Sequence, residues 1–323
     1  MLTLKNNFFK CLPFILLLCA SVFLTLWQNS AKVVIDGVSL WAFCVLPSVF
    51  PYLFISAMAQ KTKGAYLFGK LSSPLTKKLF NVGDMGGYLF IVSTLSGYPS
   101  GAKAVADAKM MGMLSDVESQ RASAFCSIAS PVFLISAVGS VTFNNRLFGI
   151  LLFLSNFLAS IIVGIVFSFY KRKDNSVTQL KTNQIKNEIL LFDLALNAVT
   201  SILVIGALIT FFYLLTEMLI ALKILTPLTK FLYIITGDKH LSEGIAAGII
   251  EVTCGLKKLS ATNSKFALSV ASFLTGFGGL SIIMQSTAFL KKAKIKTAPF
   301  ILSKILSAVF SFFISLIFSV IFL

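Results

Sequence analysis

Glu251 opens the run Glu251-Val252-Thr253-Cys254-Gly255, between an apolar stretch beginning near residue 245 and the basic pair Lys257-Lys258. A carboxylate at membrane depth costs about 2.5–3.5 kcal/mol on insertion scales, so it is kept where it binds something or pairs with a cation. Two roles follow for Glu251: holding a coupling Na+ or H+, or a structural pair with Lys257 or Lys258. A second group of reactive types lies in Thr94-Leu95-Ser96-Gly97-Tyr98-Pro99-Ser100-Gly101-Ala102-Lys103. The hydroxyls of Ser96, Tyr98 and Ser100, with that of Thr253, suit a polar solute. Gly97 and Gly101, with Gly255, allow backbone to approach a ligand closely. Lys103 supplies formal positive charge for a carboxylate, although Asp107, four residues on, has the spacing to pair with it. Ser130, followed by Pro131, and then Gly278, Gly279, Ser281 and Gln285 bring the same mixture of small and hydroxyl or amide residues twice more. With His240 as the one histidine, no nucleophile–His–acid set can be assembled, so the chain is expected not to be an enzyme. Five cysteines scattered singly indicate neither a disulfide framework nor a metal site, and no cofactor is implied beyond the coupling ion.

The elements that must position these residues are membrane helices. Mean hydropathy is +0.90, 57% of residues are hydrophobic, and several apolar runs reach about 20 residues, the length a bilayer demands. This excludes a soluble globule and gives an all-α polytopic membrane protein. The net charge of +16 comes from Lys and Arg in short segments between apolar runs. It points to topology and anionic lipid as a partner, and away from nucleic acid.

Taken in order, a first span at about 11–28 is an uncleaved N-terminal helix, and a second at about 34–60 is bent by Pro47 and Pro51. Residues 61–80 read as a basic amphipathic helix at the interface. Residues 85–110 read as helix-break-helix, a re-entrant hairpin whose tip is the Gly-Tyr-Pro-Ser-Gly stretch; broken backbone at this depth is tolerated where it lines a cavity. Ser115 and Glu118 have capping-box spacing and should start a helix that breaks at 127–131 and resumes to about 141. A clean span at about 147–170 follows. The second half has a long apolar run at 190–222, with Asp193 and Glu217 read as lying near its ends. A short basic helix at 225–233 follows, then a second hairpin broken near Glu251, with His240 at its entry and without a ligand role. A helix interrupted at 275–279 and a last span at about 298–322 complete it.

The halves align. Pro74-Leu75-Thr76-Lys77 matches Pro227-Leu228-Thr229-Lys230, Gly83-Asp84 matches Gly237-Asp238, and Gly101-Ala102-Lys103 matches Gly255-Leu256-Lys257, all at an offset of about 154 residues. The expected organisation is an N-terminal helix (1–30), a first repeat (31–170), a basic cytoplasmic linker (171–188) and a second repeat (189–323). Three crossings per copy make the copies inverted, the layout of secondary transporters. Lysine placement puts the N-terminus in the cytoplasm and the C-terminus outside.

Leu46-Pro47 with Phe50-Pro51, the 96–103 block, Ser130-Pro131-Val132-Phe133, and Gly276-Phe277-Gly278-Gly279-Leu280-Ser281 with Gln285 resemble the sporulation integral membrane protein family YlbJ, also called SpoVV. That resemblance implies a nucleoside-recognition (Gate) domain and a fold like that of concentrative nucleoside transporters. Two re-entrant hairpins and two unwound helices would surround a central site. It also implies a secondary transporter moving dipicolinate across the outer forespore membrane during sporulation. Nucleoside is a second solute class, although the first tip offers Ser and Tyr, and Glu251 is the one acid at the second. A non-transporting scaffold or sensor in spore-envelope assembly is the alternative of a different kind, and homo-oligomerisation is left open. Read on these motifs, the substrate-binding set is Ser96, Gly97, Tyr98, Pro99, Ser100, Gly101, Lys103, Ser130, Thr253, Gly278, Gly279, Ser281 and Gln285, with Glu251 for the coupling ion.

Overall fold

A computed structural model describes residues 21–61, 63–171 and 191–322, and these are helical with no strand among them. The first expected span and the 171–188 linker lie largely outside the described residues. Four described segments are long and apolar enough to cross a membrane, one of them (Ala267–Lys292) interrupted at Gly278, and five when one bent pair counts as a single span.

That bent pair is the proline-bearing segment. Helix α1 (Ser30–Leu40) passes through a wide π-helical stretch, Trp41–Val45, into α2 (Leu46–Lys61), and the axis turns by 51°. Proline lacks the N–H that a helix needs four residues on, so the ladder opens where Pro47 and Pro51 enter it. Helix α3 (Lys63–Phe80) buries Gly69, Ser73, Thr76 and Phe80, spaced three to four apart on one face, and ends in Lys77 and Lys78.

Two short helices, α4 (Met85–Ser96) and α5 (Ser100–Met110), are separated by Gly97-Tyr98-Pro99. Helix α6 (Asp116–Phe125) starts at the expected capping box, with the Ser115 side chain accepting from the Glu118 N–H and Glu118 accepting from the Ser115 N–H. Glu118 also accepts from the Gly83 N–H at 2.8 Å, tying the exit of this helix pair to its entrance. After an interruption the chain resumes as a π-helix, Val132–Thr142, and then α7 (Arg146–Ser168).

In the second half α8 (Leu191–Ala221) and the exposed α9 (Thr226–Thr236) lead to α10 (Lys239–Gly248) and α11 (Val252–Leu259), another short pair. Asp238 caps α10 by accepting from the Leu241 N–H at 3.0 Å, and the Thr262 hydroxyl beyond α11 donates to the same carboxylate. Helices α12 (Ala267–Phe277) and α13 (Gly279–Lys292) are divided at Gly278, whose φ is +82°. The last, α14 (Thr297–Phe322), packs on α12 and α7 through Ser303, Ser307, Ser311 and Ser315, all buried and four apart. Small side chains let helices approach closely in lipid. Here Ser272 and Ser311 each donate to the other's carbonyl, and Asn156 on α7 donates to Thr275 at 3.0 Å.

The halves are not separate cores. One buried cluster joins Phe80, Leu89 and Phe125 to Leu290, Ile295 and Phe300; another joins Tyr98, Leu134 and Leu152 to Leu241, Leu256 and Leu274.

Candidate functional site

Each short helix pair places its tip on an interrupted helix. At the first tip the Tyr98 N–H donates to the Ile128 carbonyl at 2.8 Å, inside the 126–131 break. Gly97, at φ +76°, leaves no room for a side chain: a Cβ there would stand 2.7 Å from the Ser130 nitrogen. At the second tip the bonding runs the other way, with the Leu280 and Ser281 N–H groups donating to the Ile249 and Ile250 carbonyls at 2.8 and 3.1 Å. The unpaired backbone groups that any helix break creates are therefore answered largely by the neighbouring break.

Both tips and both breaks reach one cavity. Ser96, Tyr98 and Pro99 come from the first tip, Ser130 from the first break, Glu251 and Thr253 from the second tip, and Ser281 and Gln285 from the second break. The apolar remainder of the wall includes Val49 of α2 and Ile209 of α8. The cavity is narrow, about 40 Å³, room for about three waters. It adjoins a chamber of about 700 Å³, sharing Leu40, Phe133 and Thr253 with it. Beyond the chamber lies a recess of about 360 Å³ where Asp36 and Glu217 face Lys257 and Lys258.

The polar groups of the cavity are unevenly satisfied. Glu251 is buried and caps α11, accepting from the Cys254 N–H at 2.8 Å and from the Thr253 hydroxyl. Gln285 donates to Ser281 at 2.9 Å, but its Oε1 is buried without a partner, and so is the Tyr98 hydroxyl. A buried polar atom left unpaired costs about 1–3 kcal/mol, so these two are the unsatisfied groups of the cavity wall. Among the described residues no group of three His, Cys, Asp or Glu side chains gathers to hold a metal ion.

Several residues singled out from the sequence stand elsewhere. Lys103 does not reach the cavity: its ammonium is 2.6 Å from Asp107 and largely buried, so the pairing along the helix takes the charge expected for a carboxylate. Ser100 is turned inward, donating to Ser96 and to the Gly97 carbonyl at 2.5 and 2.7 Å, which stiffens the tip. Gly101 faces the Cys126 carbonyl and Gly255 faces Gly248; these two serve backbone packing, not ligand approach. Gly278 and Gly279 form the second break beside the lining residues. Glu251 makes no ion pair with Lys257 or Lys258; its fixed role is the cap. Glu217 lines the recess with those lysines, whereas Asp193 sits in the first turn of α8 and His240 is exposed at the start of α10.

Three polar residues escaped sequence reasoning. Lys304 on α14 is buried and donates to the Ser127 carbonyl at 2.8 Å. Arg121 is buried and donates to the carbonyls of Asn81, Tyr170 and Lys171, joining α3, α6 and α7 where their ends meet. The third is Asn156. The signal for Lys304 and Asn156 was a lone polar residue within a long apolar span.

These features define an integral membrane protein with several apolar helices, in which two interrupted pairs of segments close around one small cavity. The chain is similar in sequence to a known membrane protein. It is 26% identical over 333 residues to sporulation integral membrane protein YlbJ of Bacillus subtilis (strain 168), covering 95% of this chain and 81% of that one. No protein-family model and no solved structure matches the chain.

Proposed function

We propose that the protein is a secondary carrier of a small anionic or polar solute, and that its halves are inverted copies, each with one re-entrant hairpin and one broken helix. The single observation that carries this is the meeting of both tips and both breaks at a cavity where Tyr98 Oη and Gln285 Oε1 are buried and unpartnered. A tip bonded to a break in each half, with donor and acceptor exchanged, supports the duplication and the likeness to concentrative nucleoside transporters and their Gate domain. Paired broken segments around one site are the transporter arrangement, because half-helix ends offer N–H donors to an anion without full charges. The chamber falls within the 300–1,000 Å³ of small-molecule pockets, while the cavity at the tips is a constriction that must widen for a solute to pass.

The relative's name places it in sporulation, and family resemblance gives dipicolinate, entering the forespore through its outer membrane, as the solute. On this reading the binding groups are Ser96, Tyr98, Ser130, Thr253, Ser281 and Gln285, with Glu251 meeting a coupling H+ or Na+. The N-terminus is cytoplasmic and the C-terminus outside, with the basic segments against anionic lipid.

The test is uptake of labelled pyridine-2,6-dicarboxylate into proteoliposomes, beside uridine and succinate. Saturable uptake that falls at least tenfold in Tyr98→Phe and Glu251→Gln, with both variants still inserted and monodisperse, is expected. No uptake of any of the three, with a stable protein partner co-purifying, would replace the carrier by an assembly scaffold.

A further inference from the structure

Lys304 is a buried cation that no part of the carrier scheme uses. It sits eight residues into α14, in a 26-residue apolar helix, and is 1% exposed. A lysine normally escapes such a place by extending its stem to the interface; this one is directed inward. No carboxylate pairs with it among the described residues. Its ammonium has two neighbours instead. One is the Ser127 carbonyl, in the break after α6, at 2.8 Å. The other is the face of the Tyr98 ring at the first tip, with the centroid 5.0 Å away, within the range of a cation–π contact.

The surroundings have the character of a cation seat. Helix α6 ends at Phe125, so its C-terminal partial negative charge points into the break. The Ser127 carbonyl belongs to no helix, the ring face of Tyr98 is electron-rich, and the Ser127 hydroxyl is buried without a partner. A free carbonyl and an aromatic face both attract positive charge. The adjacent Ile128 carbonyl is already taken by the Tyr98 N–H, so two neighbouring carbonyls of the break are held, one by the tip and one by the last helix.

We propose that Lys304 is a tethered cation built into the first half. Its ammonium occupies the seat that a free alkali ion would otherwise have to fill, and so it fixes the break and positions the Tyr98 ring at the cavity wall. Binding at the first half then needs no added cation, and ion coupling, where present, belongs to the second half at Glu251. Lys304 is a positioning residue: it acts through Tyr98 and does not line the cavity.

The test is chemical replacement. Lys304→Ala removes an ammonium on three methylenes and leaves space for n-propylammonium. Purified wild type and variants are melted at constant ionic strength in chloride salts of Na+, choline, tetramethylammonium and n-propylammonium. Wild type is expected to melt at one temperature in choline, tetramethylammonium and n-propylammonium, and a higher melt in Na+ that is lost in Glu251→Gln reports the second half alone. Lys304→Ala should melt lower in choline and recover at least half of the loss in n-propylammonium, with tetramethylammonium too bulky to help. Lys304→Met, which fills the volume without charge, should stay low in every salt, and Lys304→Arg should recover in part. Lys304→Met melting like wild type would overturn the assignment, as would a loss in Lys304→Ala that no small cation reverses. Should Lys304→Ala fail to fold, the comparison of Met with Arg decides by the same criterion. Melting needs no transport, so failure here leaves the carrier reading standing, and failure of uptake leaves this one.

Discussion

Gly101→Ala is a mild substitution on paper, since alanine in a helix is favoured over glycine by up to about 1 kcal/mol. Here it should be harmful. Gly101 is the second residue of α5, pressed against the first break; a Cβ would stand 2.6 Å from the Ser93 Cβ and closer still to the Cys126 carbonyl oxygen. Ordinary contact begins at 3.4 Å, so the tip must withdraw from the Cys126 carbonyl by about 1 Å. That withdrawal stretches the 2.8 Å bond from Tyr98 to Ile128 past the limit of a hydrogen bond. A buried amide left unpaired costs about 1–3 kcal/mol, and overpacking adds a similar amount. Net of the helix gain, about 2 kcal/mol of stability should be lost. Thermal melting in detergent, compared with Gly112→Ala at an open position with φ +75°, separates this contact from backbone strain. Gly101→Ala as stable as wild type would mean that the tip does not rest on the break, and the geometry of the site would be wrong.

Other expectations are more local. Gln285→Leu removes a buried orphan oxygen, so the empty protein should melt no lower than wild type while any stabilisation by added solute disappears. Asp238→Ala should cost about 1 kcal/mol as a lost cap and loosen the base of the second hairpin, seen as faster hydrogen exchange in 239–248. The Thr262 hydroxyl and the Leu241 N–H hold the Asp238 carboxyl below its ordinary value. A depressed carboxyl stabilises fully above the unfolded value and loses that effect as pH falls through the folded one. The melting difference between Asp238→Ala and wild type should thus be constant above about pH 5 and shrink as pH falls below the ordinary carboxylate value. Arg121→Lys cannot reproduce a planar fork that serves carbonyls on separate segments, and should destabilise by about 2–4 kcal/mol in chemical unfolding.

What the sequence disclosed was local. The capping box at Ser115 and Glu118, the opening of the helix ahead of Pro51, and the pairing of Lys103 with Asp107 all arise between residues a few positions apart. The break near Tyr98 was equally plain, because Gly, Pro and Ser crowd one turn. The cap at Glu251 was hidden, since glutamate is not among the favoured capping residues and a buried acid reads first as an ion site, then as a lysine partner. Lys304 and Asn156 find partners 177 and 119 residues away, a distance at which no spacing rule operates. The size of the tip cavity was beyond sequence altogether, being set by how closely Gly97 and Gly101 let four segments approach.

The most direct trial of the central claim is calorimetric binding of pyridine-2,6-dicarboxylate, uridine and succinate to the purified protein, repeated with Tyr98→Phe and Gln285→Leu. The account predicts saturable heat with at least one of them, a dicarboxylate first, weakened tenfold or more by either substitution. Binding that is absent throughout, or undiminished in both variants, would contradict it.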